Sequence, residues 1–145
     1  MRRTKLIVAT LICTAVLALA GCGAKKPQTV TVTLPSNPTT GYTWECTQTV
    51  PLFDVSSEYT PNDTGDENLV GVGGVDVFTL VPTTPGETQV TFTYGQHWEG
   101  GNKGDSVTYM LKVKRNLKVE QQGMTGEFNG DIDTIPDIPM FQISD

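Results

Sequence analysis

Between Thr29 and Arg115 the chain alternates apolar and polar residues with a period of two, broken at intervals by proline and glycine. Val30, Val32 and Leu34 face one way and the intervening threonines the other, the pattern of a half-buried strand rich in β-branched residues. Pro35 ends that run. A second strand, Tyr42 to Thr49, sets Tyr42, Trp44 and Cys46 against Thr43, Glu45 and Thr47. After Pro51 a less regular third strand, Leu52 to Tyr59, carries Phe53, Val55, Ser57 and Tyr59 on one face. Val75 to Val81 turns Phe78 and Leu80 inward. Thr88 to Tyr94 aligns Val90, Phe92 and Tyr94, and Ser106 to Arg115 aligns Val107, Tyr109, Leu111 and Val113. These are six strands, or seven if Leu69 to Val81 divides around its glycines, and no segment carries a helical stripe of useful length. The pattern predicts an all-β domain, a two-layer β-sandwich with a small open barrel as the alternative; missing crossover helices exclude a parallel α/β fold. From Asn116 onward Gly123, Gly126 and Gly130 interrupt the alternation, and Asp131, Asp133, Asp137 and Asp145 make the stretch acidic. It reads as an irregular extension, 116–145, laid over the domain or left mobile.

The connections are less ordinary than the strands. Asn37-Pro38-Thr39-Thr40-Gly41 is a well-specified turn: Pro38 fixes its own φ, Gly41 can take φ > 0, and the threonines are stiff. Gly71-Val72-Gly73-Gly74 places three glycines in four positions, too many for a strand interior chosen for stability, so they serve shape: a flat loop with one apolar side chain. No helix pattern or Lys-Ser or Lys-Thr pair follows, so this is not a phosphate cradle. The third connection, Gln96 to Gly101, carries His97, Trp98 and Glu99. In a sandwich, alternate connections emerge at the same end. These three therefore form one wedge-shaped edge with a threonine wall, a flat middle and a Trp98 wall, as a rigid binding surface requires.

Composition adds an address. Arg2, Arg3 and Lys5 precede an apolar stretch, Leu6 to Ala20, too short for a comfortable membrane span. This is a secretory signal, 1–21. Its end, Leu19-Ala20-Gly21-Cys22, resembles the lipobox of bacterial lipoproteins, which implies cleavage before Cys22 and a lipid on that residue. Residues 22–28 then form a lipidated cysteine and tether, and 29–115 the folded domain. Without Arg2, Arg3 and Lys5 the ten basic residues become seven against sixteen acidic ones, a formal charge near −9. Nucleic acid is excluded as a partner by that sign and by the lack of a basic patch. Cys13 leaves with the signal and Cys22 takes the lipid, so Cys46 has no partner for a disulfide and serves as a small core residue. His97 is the one histidine. No nucleophile elbow, metal-ligand spacing or cofactor motif accompanies it, and it reads as a rim contact or spacer before Trp98, not as a catalytic group. The acidic loop at Asp63, Asp66 and Glu67 lacks the spacing of a calcium loop.

Asn37-Pro38-Thr39-Thr40-Gly41-Tyr42 with Trp44, then Gly71-Val72-Gly73-Gly74, then Tyr94 with Trp98, resemble in order and spacing the three signature loops of the chagasin-like cysteine protease inhibitors. The resemblance implies an immunoglobulin-type sandwich, acting as a monomer and not as an enzyme, that blocks papain-like proteases by inserting these loops into the catalytic cleft. It implies protease contacts at Asn37, Pro38, Thr39, Thr40, Gly41, Tyr42, Gly71, Val72, Gly73, Gly74, His97 and Trp98, and no cofactor. One departure stands out: Gln96-His97 occupies the place where the family usually has Arg-Pro. The alternative reading is a surface adhesion or scaffold module on a bacterial lipoprotein, anchored to the membrane or envelope through its lipid alone.

Overall fold

The structure, a computed structural model, describes residues 27–63, 65, 71–127 and 140–144; the signal, Cys22 and the start of the tether lie outside them. Eight strands run through the described residues: β1 (Thr29–Ser36), β2 (Thr43–Gln48), β3 (Phe53–Pro61), β4 (Gly74–Pro82), β5 (Gly86–Gly95), β6 (Lys103–Val113), β7 (Val119–Glu127) and β8 (Met140–Ser144). They pair antiparallel into two four-stranded sheets, ordered β3-β4-β1-β8 and β2-β5-β6-β7. This is an immunoglobulin-like two-layer sandwich, so the open barrel does not apply.

Its core is the set of inward faces that the alternation requires. Val30, Val32, Leu34 and Leu80 of one sheet and Val90 and Phe92 of the other are fully buried. Phe78 meets Phe92 edge-on across the layers at 5.0 Å, Phe92 meets Tyr109 at 6.1 Å, and Tyr109 stacks on Phe141 of β8 at 4.8 Å. Such pairs add a directional term to the area removed from water.

The region after Asn116 departs from expectation. Rather than one irregular extension, it supplies an edge strand to each sheet. Val113 pairs with Val119 across a reversal in which the Leu117 amide donates to the Lys114 carbonyl at 2.8 Å, and β8 closes against β1 from Thr33 to Thr29. The physical reason is that an edge strand needs few buried side chains: in β7 Val119 is buried, while Glu120, Gln121, Gln122, Met124 and Thr125 are exposed. Residues 128–139, which include Asp131, Asp133 and Asp137, lie outside the described residues. β3 is also an edge, which is why Val55 and Ser57 are exposed despite sharing the parity of buried Phe53.

Register fixes which connections share an end. Ser36 and Pro61 both pair with Gly74, and Thr43 and Lys103 both pair with Gly95. The connections 37–42, 62–73 and 96–102 therefore leave the sandwich at one pole. At the opposite pole the chain enters: the Gln28 side-chain oxygen accepts the Val119 amide at 2.9 Å, and Thr29 pairs with Ser144.

Two buried hydroxyls among the described residues, those of Ser36 and Tyr109, are poorly served. The Tyr109 hydroxyl is buried and has no hydrogen-bond partner among the described residues, and burial pushes its pKa from 10 up to about 12. A raised folded value means that its contribution is fully present below the unfolded value and is lost as pH rises through the folded one. Tyr109→Phe is expected to stabilise the fold by about 1 kcal/mol at neutral pH. It should also blunt the loss of stability between pH 10 and about 12. Urea unfolding of both forms at pH 7 and pH 11 checks both expectations.

Candidate functional site

The first loop is built by its own polar groups. Pro38–Thr40 forms one turn of 3-10 helix, with Pro38 at its start and Gly41 closing it at φ 78°. The Asn37 carbonyl accepts from the Thr40 amide at 3.1 Å and from the Thr40 hydroxyl at 2.6 Å, and the Asn37 side-chain oxygen accepts from the Thr39 hydroxyl at 2.6 Å. Every polar residue of Asn37-Pro38-Thr39-Thr40 thus folds back on the turn, which leaves few alternative conformations to lose on binding. Below it lies an aromatic platform. Tyr94 packs on Tyr42 at 5.5 Å and on Trp44 at 5.0 Å, and its hydroxyl accepts the Asn37 amide at 3.2 Å. The Trp44 indole donates to the Pro35 carbonyl at 2.7 Å, tying β2 to β1 across the two sheets.

The second loop is tied to the first. The Asn37 side-chain amide donates to the Gly71 carbonyl at 3.3 Å, and a Cβ added at Gly71 would come to 3.9 Å of the Thr39 hydroxyl. Gly71 needs its glycine for conformation, at φ 81°. Gly73 lies under the first loop: a Cβ there would stand 3.4 Å from the Ser36 carbonyl and 3.9 Å from the Asn37 Cβ, both ordinary contacts. Gly74 is different. It is buried as the first residue of β4, where a Cβ would run into the Thr60 carbonyl and the Tyr59 hydroxyl. Its lack of a side chain serves sheet pairing, whereas the bareness of Gly73 is free to serve the surface. Val72 is half-buried, its carbonyl accepting from the Tyr59 hydroxyl at 3.4 Å.

The third loop reaches the first from the other side. Trp98 is 57% exposed, and the edge of its ring lies over Gly41, where an added Cβ would stand 2.9 Å from Cη2. Gly41 is therefore constrained twice, by its left-handed backbone and by the tryptophan above it. The neck of the loop closes by the Gln96 amide donating to the Asn102 carbonyl at 2.7 Å, with the Gln96 side-chain oxygen accepting the Asn102 amide at 3.3 Å. His97 turns back onto β2: Nε2 lies 2.9 Å from the Thr43 carbonyl and Nδ1 3.2 Å from the Glu45 carboxylate.

The structure thus brings together all twelve site residues expected from sequence, from Asn37 to Tyr42, from Gly71 to Gly74, and His97 with Trp98, at one pole. Within that group Gly74 is internal and His97 is engaged with its own chain; the rest form the open edge. Cys22 lies outside the described residues. Sequence reasoning named Tyr94 only as part of a motif and did not assign the roles of its ring as a platform, of Gln96 as the loop's neck or of Glu45, because the partners of Tyr94 and Glu45 lie more than fifty residues away and the Gln96 bonds to Asn102 appear only once the loop is closed.

Among the described residues at this pole, none form a catalytic constellation. Cys46 sits on β2 against the core, and burial pushes its thiol from 9 up to about 11, so it is protonated and unreactive at neutral pH. Disulfide exchange at Cys46 with an aromatic disulfide at pH 8, followed by peptide mapping, is expected to run at least about tenfold slower in the folded chain than in denaturant. Among the described residues no group of three or more His, Cys, Asp or Glu is placed to hold a metal ion.

The profile described as Chagasin family peptidase inhibitor I42 matches residues 24–113, which takes in β1 through β6 and all three loops and stops short of β7. Chagasin from Trypanosoma cruzi is 34% identical over 93 residues, covering 60% of this chain and 81% of its own. Amoebiasin-2 from Entamoeba histolytica is 26% identical over 86 residues, covering 59% of this chain and 70% of its own. A solved structure, the cysteine protease inhibitor EhICP2 from Entamoeba histolytica, is similar at 26% identity with a TM-score of 0.47, over 59% of this chain and 78% of that one. With its signature turns assembled at one pole and the family profile spanning most of its length, the chain belongs to the chagasin family of peptidase inhibitors.

Proposed function

We propose that the protein is a reversible, occluding inhibitor of papain-like cysteine proteases, which it blocks by inserting its three loops into the catalytic cleft. The observation that supports this most is the convergence, in a chain of this family, of the Asn37–Gly41 turn with the Gly71–Gly73 loop through the Asn37–Gly71 hydrogen bond and with the Trp98 loop through the indole packed over Gly41. In this reading the Thr39-Thr40 turn sits nearest the catalytic cysteine and replaces its water. The bare Gly71–Gly73 backbone runs along the substrate cleft, and Trp98 packs on the far wall. Inhibition needs no chemistry, because a turn held by Asn37, Thr39 and Thr40 arrives already ordered and loses little entropy in the complex.

Titrating papain with the protein tests the proposal. Stoichiometric loss of protease activity, recovered on dilution, is the expected result; undiminished activity across a panel of papain-like proteases would overturn it and leave the adhesion reading.

The signal and the Leu19-Ala20-Gly21-Cys22 motif support a second part of the reading: the protein is an exported bacterial lipoprotein, held to the membrane or envelope by a lipid on Cys22 and otherwise monomeric. Cells grown with labelled palmitate should incorporate label into the wild type, and label retained by Cys22→Ala would rule the anchor out.

A further inference from the structure

We propose that His97 is a positioning residue whose doubly protonated ring pins the Trp98 loop to β2, so that the inhibitor's grip tightens as the medium becomes acidic. The argument starts from what the ring faces. Nε2 lies 2.9 Å from the Thr43 carbonyl and Nδ1 lies 3.2 Å from the Glu45 carboxylate, and both of those oxygens are acceptors. A neutral imidazole carries one N–H and one lone pair, so it can satisfy one of the two and must point the lone pair at the other. Only the imidazolium donates at both nitrogens. The charged groups on the elements around the loop are Glu45 on β2, Lys103 and Asp105 at the start of β6 and Glu99 within the loop itself, and the Glu45 carboxylate is in contact with the ring.

The clamp has a defined lever. His97 is the immediate neighbour of Trp98, and the Trp98 ring lies over Gly41 of the first loop. Losing one of the two ring contacts frees the loop at the residue that sets where the indole stands. A less ordered Trp98 must then be immobilised on binding, at a cost in affinity. The Gln96 neck remains closed by its own bonds to Asn102 in either state, so the fold is unaffected and the change is confined to the tip.

The part of this inference that concerns affinity rests on the inhibitor reading; the clamp itself does not, and the experiment separates them. In the free full-length protein, the Gly41 amide resonance senses the ring current of Trp98. It is expected to shift between pH 5.5 and pH 8 in the wild type and to stay still in H97Q. Gly41 and Trp98 resonances that do not move with pH in the wild type would overturn the clamp.

With papain, the inhibition constant of H97Q divided by that of the wild type cancels the protease's own pH dependence. That ratio is expected to be about tenfold at pH 5.5 and to fall to about twofold at pH 8. E45Q, which keeps the ring but removes its carboxylate partner, should flatten the wild-type profile in the same way. A ratio equal at the two pH values would overturn the link to affinity. Titrating resonances in a protein that inhibits no protease would instead retain the clamp and remove the proposed function.

Discussion

Gly73→Leu is expected to weaken inhibition of papain by about a hundredfold or more, corresponding to the ~3 kcal/mol upper range for forcing bulk into a close-fitting contact. The fold should survive, because a Cβ at this position meets the Ser36 carbonyl and the Asn37 Cβ at ordinary distances, 3.4 and 3.9 Å. The remainder of the leucine side chain then occupies the flat middle of the edge. Its neighbour provides the control. Gly74→Leu drives a side chain into the backbone of β3 and should unfold the domain, so circular dichroism melts separate the two residues where an inhibition assay alone would not. A Gly73→Leu protein that inhibits as strongly as its parent would argue against insertion of this loop.

Trp98→Ala should cost about 2 kcal/mol or more of binding free energy, roughly thirtyfold in the inhibition constant, the range of a buried aromatic anchor. The free protein already leaves the ring 57% exposed, so truncation removes little from the fold and much from a complex that covers it. Thermal unfolding midpoints of the two forms should agree closely. Equal inhibition constants would assign binding to the first two loops alone.

Strand parity carried most of the fold into view. Val30, Val32 and Leu34, or Val107, Tyr109, Leu111 and Val113, can be buried together only if each run is extended, and the buried faces are those residues. Given six such runs, the convergence of alternate turns followed from chain reversal, and so the gathering of Asn37, Gly73 and Trp98 was legible too. β7 was not. Its sequence, Val-Glu-Gln-Gln-Gly-Met-Thr-Gly-Glu, lacks alternation because an edge strand is held mainly by backbone bonds to β6, which any side chain permits. The register shift between Met110 and Leu111 further breaks the period. β8 is likewise short and follows a run of Pro and Asp.

Within the site, the glycines advertised that space was needed but not by whom. Gly71 answers to its own backbone, Gly74 to β3 and Gly41 to Trp98, and only tertiary contact tells these apart. His97 illustrates the same limit. Its two acceptors are Thr43 and Glu45, more than fifty residues earlier, and β5 brings β2 beside the third loop by pairing Thr43 with Gly95.

The chain enters the sandwich at Gln28, beside Val119, while Trp98 and the Asn37 turn crown the far end, separated by the length of β1, about 25 Å at the usual strand rise. If, as proposed, Cys22 carries a lipid, the attachment point and the working tip belong to opposite poles of the sandwich, so an anchor leaves the three loops uncovered. Enzymes diffusing freely in the surrounding fluid would meet that tip head-on.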